Sequence, residues 1–357
     1  MADARPPPGG AARVSVVIPS YDRGAYLPAA IESVLAQTLP PLEVLVVDDG
    51  STDGSLAIAR GYGEPVRVVT QPNRGVSAAR NRGIEMTAGE WIAFLDADDV
   101  WEPTKLQRQM AAVDAAVAGD EVGVATVGDE FSGRDDPVDG GARDAGASGG
   151  GTTGDGPEPV VCAFTDFYRL GGPRDGSVVR RPDHPSAPDW RVRMLCEYAL
   201  LPSTAVVRAR ALEGLRFPVG VTDSEDMIFF VELRERGRFV RVGEPLIGYR
   251  ILESSAVRRA GHELRSVRAR FDYLRKRADR YTDEERLAIR RHLAGALVRG
   301  HGRALWQDRD PEMVRAYRRL FEEVRPPDLE PPDAFRRRLY PRWMYRVRDA
   351  VDALTGL

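Results

Sequence analysis

Trp91-Ile92-Ala93-Phe94-Leu95 runs without a break into Asp96-Ala97-Asp98-Asp99. An unbroken apolar run of that length predicts a strand covered on both faces, as in the parallel sheets of α/β proteins. The clustered carboxylates at its end repel one another, so a divalent cation, an Arg or Lys, or solvent has to offset their charge. The segment is therefore either a hard-cation site beside a buried sheet or a solvated acidic turn, and a D-x-D alone does not decide between them.

Two upstream runs repeat the design. Glu43-Val44-Leu45-Val46-Val47 leads into Asp48-Asp49-Gly50-Ser51-Thr52-Asp53-Gly54, and Val14-Ser15-Val16-Val17-Ile18 stops at Pro19, followed by the turn Ser20-Tyr21-Asp22-Arg23-Gly24. Pro cannot donate to a strand ladder, and the residues after it open a helix. All three strands deliver polar residues at their carboxyl ends, the edge where open, mostly parallel sheets bind ligands. Strand-like and helix-like periods alternate up to about residue 118, which argues for βαβ units. Apolar stripes predict helices over 25–37, 54–62 and from Ser77 to Met86, and another opened by Pro103. A dinucleotide oxidoreductase is disfavoured, because the turn after Ile18 has no G-x-G-x-x-G.

The rest of the chain divides by composition. Residues 1–12 read as a disordered tail, and 13–118 as a ligand-binding half. Residues 132–159 form a Gly-rich segment with almost no large apolar side chain, read as a flexible surface insertion between β-like runs at 122–127 and 160–164. Residues 160–255 form a second half of the same α/β domain, with a strand over 201–208 and then Thr222-Asp223-Ser224-Glu225-Asp226 at the start of a helix. Ser224 suits an N-cap, and Glu225 and Asp226 in a first turn also complement the helix dipole.

Residues 256–357 read as a basic helical extension, with a capping box at Thr282-Asp283-Glu284-Glu285 and helices over 263–281, 311–324 and 333–354. Arg336-Arg337-Arg338, Trp343, Tyr345, Arg346 and Arg348 place basic and aromatic side chains together. Such a helix lies on anionic lipid, as a peripheral membrane contact, or is solvated or forms an oligomer.

At 357 residues the chain can bury a sizeable core, and 43% hydrophobic with 29% charged residues is ordinary for a soluble protein. The 51 Lys+Arg nearly balance the 54 Asp+Glu, for a net charge of -3, so no nucleic-acid partner is expected. Cys162 and Cys196 have no metal or redox spacing, the N-terminus lacks the apolar core of a signal peptide, and no window approaches a spanning helix. The expected location is cytoplasmic. His184, His262, His292 and His301 have no metal-ligand spacing, and His262 reads as an ordinary surface histidine.

Taken together, the ordered motifs resemble the inverting, nucleotide-sugar-dependent glycosyltransferases of family 2. They run from Val14–Tyr21 through Val47–Asp53, Asn73–Asn81 and Phe94–Asp99 to Ser224-Glu225-Asp226 and Tyr249-Arg250. The resemblance covers about residues 14–255 and implies the glycosyltransferase A fold: α/β, Rossmann-like, with a mixed, mostly parallel central sheet and here a helical C-terminal extension. It implies that Pro19, Tyr21 and Asp22 frame the nucleotide base, that Asp49 accepts a hydrogen bond from it, and that Arg80 contacts the nucleotide or its phosphates. Asp96 would face the ribose or metal, and Asp98 would bind a Mg²⁺ or Mn²⁺ that bridges the diphosphate, with Asp99 serving there or only capping the turn. Asp226 matches the catalytic base and Glu225 its acceptor-facing neighbour. The implied partners are a nucleotide-diphosphate sugar, UDP-linked by preference, and a glycan or lipid-linked acceptor in polysaccharide or cell-envelope glycan synthesis.

Two departures stand out. The family more often has Asn at the position of Asp22, and many members carry a His just after the Tyr-Arg pair, where this chain reads Ile251-Leu252-Glu253. The second keeps open a non-catalytic, nucleotide-sugar-binding regulatory pseudoenzyme of the same fold. Oligomeric state is left open.

Overall fold

Val14–Ser20 forms the first strand, β1, buried along its whole length because it pairs in parallel on both sides. Its neighbours are β2 (Glu43–Asp48) and β4 (Trp91–Phe94), both also fully buried, and β3 (Val66–Thr70) extends the parallel set beyond β2. The computed structural model describes residues 13–119, 158–172, 174–180, 184–197, 200–252, 260–305 and 310–333. The 122–127 run, nearly all of the Gly-rich segment and the basic aromatic stretch near the C-terminus lie outside them.

The chain divides into two compact units, the first taking in Met1–Met194, Ala199–Val219 and Phe229–Ile251. Its sheet runs β3-β2-β1-β4-β8-β6-β9-β5, with β7 (Val178–Val179) paired to β6. The later strands are β5 (Val100–Trp101), β6 (Val160–Leu170), β8 (Ala205–Arg208) and β9 (Arg238–Arg250). β8 joins β4 and β6 antiparallel, whereas the long β6–β9 pairing is parallel, so most of the registered length of this mixed sheet is parallel. Helices α1 (Leu27–Leu35), α2 (Ser55–Arg60), α3 (Val76–Met86) and α4 (Lys105–Ala118) connect the early strands. They fall where the apolar periods predict them, trimmed by a residue or two at the ends. The close approach of α3 to β1 requires Gly83, since a Cβ there would lie 2.3 Å from the Val17 side chain.

Polar side chains tie α4 into the core. The buried Gln109 amide donates to Ala163 O (2.8 Å) and Thr204 O (2.9 Å) and accepts from Lys105 Nζ (2.7 Å). Lys105 is itself buried, stacked 4.0 Å from the Trp101 ring centroid, and burial pushes its pKa well below the usual lysine value. Phe94, Phe217 and Phe229 pack in a cluster, the last two stacked at 3.7 Å, which anchors the later turns of α6 (Glu225–Arg234). Helix α5 (Trp190–Cys196) has no counterpart in the sequence reading, and neither has β9.

The second unit takes in Leu195–Tyr198, Gly220–Ile228 and Leu252–Leu357, and its described residues are mostly helical. It contains α7 (His262–Lys276), α8 (Asp283–Arg303) and α9 (Pro311–Val324). Thr282 and Glu285 form the expected capping box, and Asp310 caps α9 through the amides of Glu312 and Met313 ahead of a first-turn Pro. Gly300 lets α8 close on Tyr317, where a Cβ would meet the ring at 2.4 Å. Buried His301 accepts from Arg318 Nε at 3.3 Å, and burial together with that cation pushes its pKa down to about 4.

His301 is therefore neutral in the folded protein, while the unfolded chain takes up a proton below the ordinary value of 6.5. Its contribution to stability is complete above that value and is lost as pH falls toward about 4. His301→Gln, which keeps an acceptor for Arg318, is expected to flatten the acid-side decline of the urea midpoint relative to the parent protein between about pH 7 and pH 4.5.

Candidate active site

The carboxyl ends of β1, β2 and β4 lie side by side in register, Ser20 beside Asp48 and Val17 beside Phe94. Pro19 sits past the last β1–β4 pair, where its missing N–H removes no ladder bond. The turn that follows is sewn to the loop after β2. Asp22 N–H donates to Ser51 Oγ (3.1 Å), Asp22 Oδ1 accepts from Thr52 N–H (2.7 Å), and Gly24 N–H donates to Asp53 Oδ2 (2.8 Å). Asp22 adopts a left-handed φ of 48°, a region Asp tolerates better than most residues, and Tyr21 beside it is exposed.

Asp49 is buried and holds the loop before α3. Its Oδ1 accepts from Gln71 Nε2 (2.8 Å) and Arg74 N–H (3.0 Å), and its Oδ2 from Gly75 N–H (2.7 Å). A carboxylate oxygen has two lone pairs, so these bonds leave capacity on Oδ2 alone. Gly75 is needed there, at φ 87°. Next to it, Asp48 Oδ1 and Ser20 Oγ are buried without a hydrogen-bond partner.

The acids after β4 are neutralised in three different ways. Asp96 Oδ1 accepts from Arg80 of α3 at 2.6 Å, and the buried guanidinium also lies 5.2 Å from the Phe217 ring centroid. Asp98 faces Arg23 Nε at a looser 3.4 Å, and burial followed by the charge of Asp96 raises its pKa despite that cation. Asp99 is buried, accepting from Ser203 Oγ (2.7 Å) and Arg250 N–H (3.0 Å), and burial and the two neighbouring acids raise its pKa strongly. In the turn after β4 Asp99 N–H donates to Asp96 O, while its side chain ties that turn to residues 202–204 and β9. Arg250 closes the same turn, its Nε donating to Asp98 O at 2.9 Å. Ser203 and Arg23 were not singled out by the sequence, since their partners are distant or lie in another turn.

Glu225 and Asp226 belong to the second unit, in the first turn of α6. Asp226 is buried and its Oδ1 accepts from Met227 N–H at 2.8 Å. The two residues before them, Asp223 and Ser224, have φ of 65° and 107°, left-handed conformations that cost of order 1–3 kcal/mol each outside glycine. Asp223 Oδ1 lies 2.6 Å from His262 Nδ1, and its Oδ2 accepts from Arg265 Nε at 2.5 Å. Ser224 stands at the N-cap, as its spacing predicts, but its hydroxyl hydrogen-bonds Ser266 Oγ at 2.7 Å. His262 is thus engaged with a buried carboxylate, where the sequence suggested an ordinary surface side chain.

Residues 15–148 match the family model described as glycosyl transferase family 2. This stretch is similar to the glycosyltransferases of family 2. The chain is 42% identical over 131 residues to an uncharacterized glycosyltransferase of Nostoc, covering 36% of this chain and 40% of that protein. It is 42% identical over 101 residues to the putative teichuronic acid biosynthesis glycosyltransferase TuaG of Bacillus subtilis, covering 27% and 40%. It therefore spans less than half the length of these curated relatives. Among solved structures it resembles S. aureus TarS 1-349, with a TM-score of 0.57 at 15% identity over 88% of this chain and 81% of that one. The fold is the glycosyltransferase A fold expected from the motifs.

Within the matched segment, the hydrogen bonds of Asp49 give a direct test. In Asp49→Asn an amide NH₂ would face the Gly75 N–H, donor against donor. The expected result is faster amide exchange at Arg74 and Gly75, with a stability loss of about 1–3 kcal/mol, while exchange in β1, β2 and β4 remains slow.

Proposed function

We propose that the protein is an inverting glycosyltransferase that moves a sugar from a nucleoside-diphosphate donor to an acceptor hydroxyl, in polysaccharide or cell-envelope glycan synthesis. The observation that carries this reading is the convergence of Asp49, Arg80, Asp96 and Asp98 at one sheet edge in a segment that matches family 2. Pro19, Tyr21 and Asp22 would frame the base, and the remaining acceptor capacity of Asp49 would suit the imide N–H of uracil or thymine. A neighbour of the same fold was solved with UDP-GlcNAc, which makes that sugar nucleotide the first donor to try.

Asp96 and Asp98 fit a divalent cation. They are hard oxygen donors, Asp96 paired with Arg80 at 2.6 Å and Asp98 with Arg23 at 3.4 Å, and burial followed by the charge of Asp96 raises the pKa of Asp98. Among the described residues no three acidic, His or Cys side chains form a metal cage. Mg²⁺ at such sites takes one or two carboxylates and completes its shell with phosphate oxygens and water, so the pair Asp96 and Asp98 is a sufficient protein contribution. When bound, the ion would stabilise the charge that develops on the departing diphosphate.

Asp226, matched to the family's base, would take the acceptor hydroxyl's proton as that oxygen bonds to the anomeric carbon. As that bond forms, the bond from the anomeric carbon to the β-phosphate oxygen breaks, and its electron pair leaves with the nucleoside diphosphate. One base suffices, because the diphosphate leaves without an acid to protonate it. Glu225 would face the acceptor. A regulatory protein that binds the donor without turnover is the second reading, favoured by Ile251-Leu252-Glu253 at the position of the family His.

UDP, GDP, dTDP and CDP, each with Mn²⁺ or EDTA, are expected to separate in a thermal-shift titration. UDP should stabilise only with metal, by about 2.7 kcal/mol at a hundredfold excess over Kd. Asp226→Asn should preserve that shift and lower transfer by about 10²–10⁴-fold. No shift with any nucleotide in folded protein would refute the donor site, and a shift without turnover in the parent would favour the binding role.

A further inference from the structure

We propose that His262, Arg265 and Ser266 of α7 are positioning residues that set the orientation of Glu225 and Asp226 by clamping the strained pair Asp223-Ser224. The proposal rests on the reading of Asp226 as the base. Two successive non-glycine residues with positive φ stand directly before the acidic pair. Such backbone persists only where its surroundings over-determine it, and it concentrates at functional sites.

The contacts that hold this backbone come from one helix face. His262 and Arg265, one turn apart on α7, take the two oxygens of Asp223 separately, at 2.6 and 2.5 Å. Ser266 fixes the next residue through Ser224 Oγ at 2.7 Å. The support is itself anchored, because Arg265 Nη1 also donates to Ala260 O at 2.8 Å, which ties the guanidinium to the backbone leading into α7. The Asp223 carboxyl is only 4% exposed, so solvent does little to substitute for either partner. The consequence runs down the chain: Ser224 O accepts from Ile228 N–H at 3.1 Å, so the conformation of Ser224 sets the direction of the first turn that carries Glu225 and Asp226.

A clamp that only stabilised the helices would be felt throughout them, whereas a positioning clamp acts on residues 225–228. His262→Ala, Arg265→Met and Arg265→Lys are therefore compared with the parent in the full chain, by amide hydrogen exchange and by UDP release from UDP-GlcNAc with Mn²⁺ and water as acceptor. His262→Ala and Arg265→Met should each speed exchange at 225–228 by about tenfold or more, with α8 and α9 unchanged. They should lower kcat by about tenfold while KM for UDP-GlcNAc stays within about twofold, and Arg265→Lys, which keeps a cation, should recover part of the rate. Unchanged exchange at 225–228, exchange that rises equally across α7–α9, or a loss confined to KM would overturn the proposal. If the folded parent releases no UDP from this donor, exchange alone decides the clamp, local acceleration supporting it and its absence overturning it.

Discussion

Mutual repulsion among carboxylates at one sheet edge is the constraint around which the first unit is organised. β1, β2 and β4 are buried along their length, and acids cluster just past the carboxyl ends of β2 and β4. Each acid is settled differently. Asp49 is held by N–H donors, Asp96 by a buried arginine, Asp99 by two hydrogen bonds, and Asp98 by a looser ion pair with Arg23. The distribution is selective. Groups saturated by internal bonds shape the edge, and groups left partly unsatisfied are the ones able to take a ligand's charge.

Arg80 shows how one side chain serves both ends of that arrangement. Taking a guanidinium out of water is costly, and its partner Asp96 would be costly to leave alone. The pair is supported by the Phe217 ring on one side and by Ser203, whose Oγ accepts the Asp96 N–H at 3.1 Å and donates to Asp99. Arg80, which the resemblance matches to a nucleotide or phosphate contact, is in this structure the counter-ion of Asp96. Contact with a donor phosphate would make Asp96 share it.

What the sequence made legible follows from periodicity. Continuous apolar runs marked β1, β2 and β4, and amphipathic stripes with Pro and capping signals marked α1, α4, α8 and α9, because those patterns are imposed by burial within a single element. β9 escaped because Arg238, Arg241, Gly243, Glu244 and Pro245 break its pattern. Its pairing with β6 shifts register between Thr165 and Asp166, a bulge that no local signal announces. β5 is two residues long and exists only through its pairing with β9. At the site, the acids were visible as residue types, but the role of Asp99 depends on Ser203 and Arg250, more than a hundred positions away.

The same limit explains His262. Its spacing from the acidic motif carries no period, and its partner Asp223 reads as an ordinary loop acid until the backbone is seen. Local sequence encodes which groups are present, and positive φ at Asp223 and Ser224 shows where the fold departs from what those residues prefer. Positive φ also occurs at Asp22, after β1, but among the described residues two successive non-glycine residues adopt it just before Glu225. A departure so narrow, held from one helix face by ionic and hydroxyl contacts, is the pattern expected where function sets the backbone.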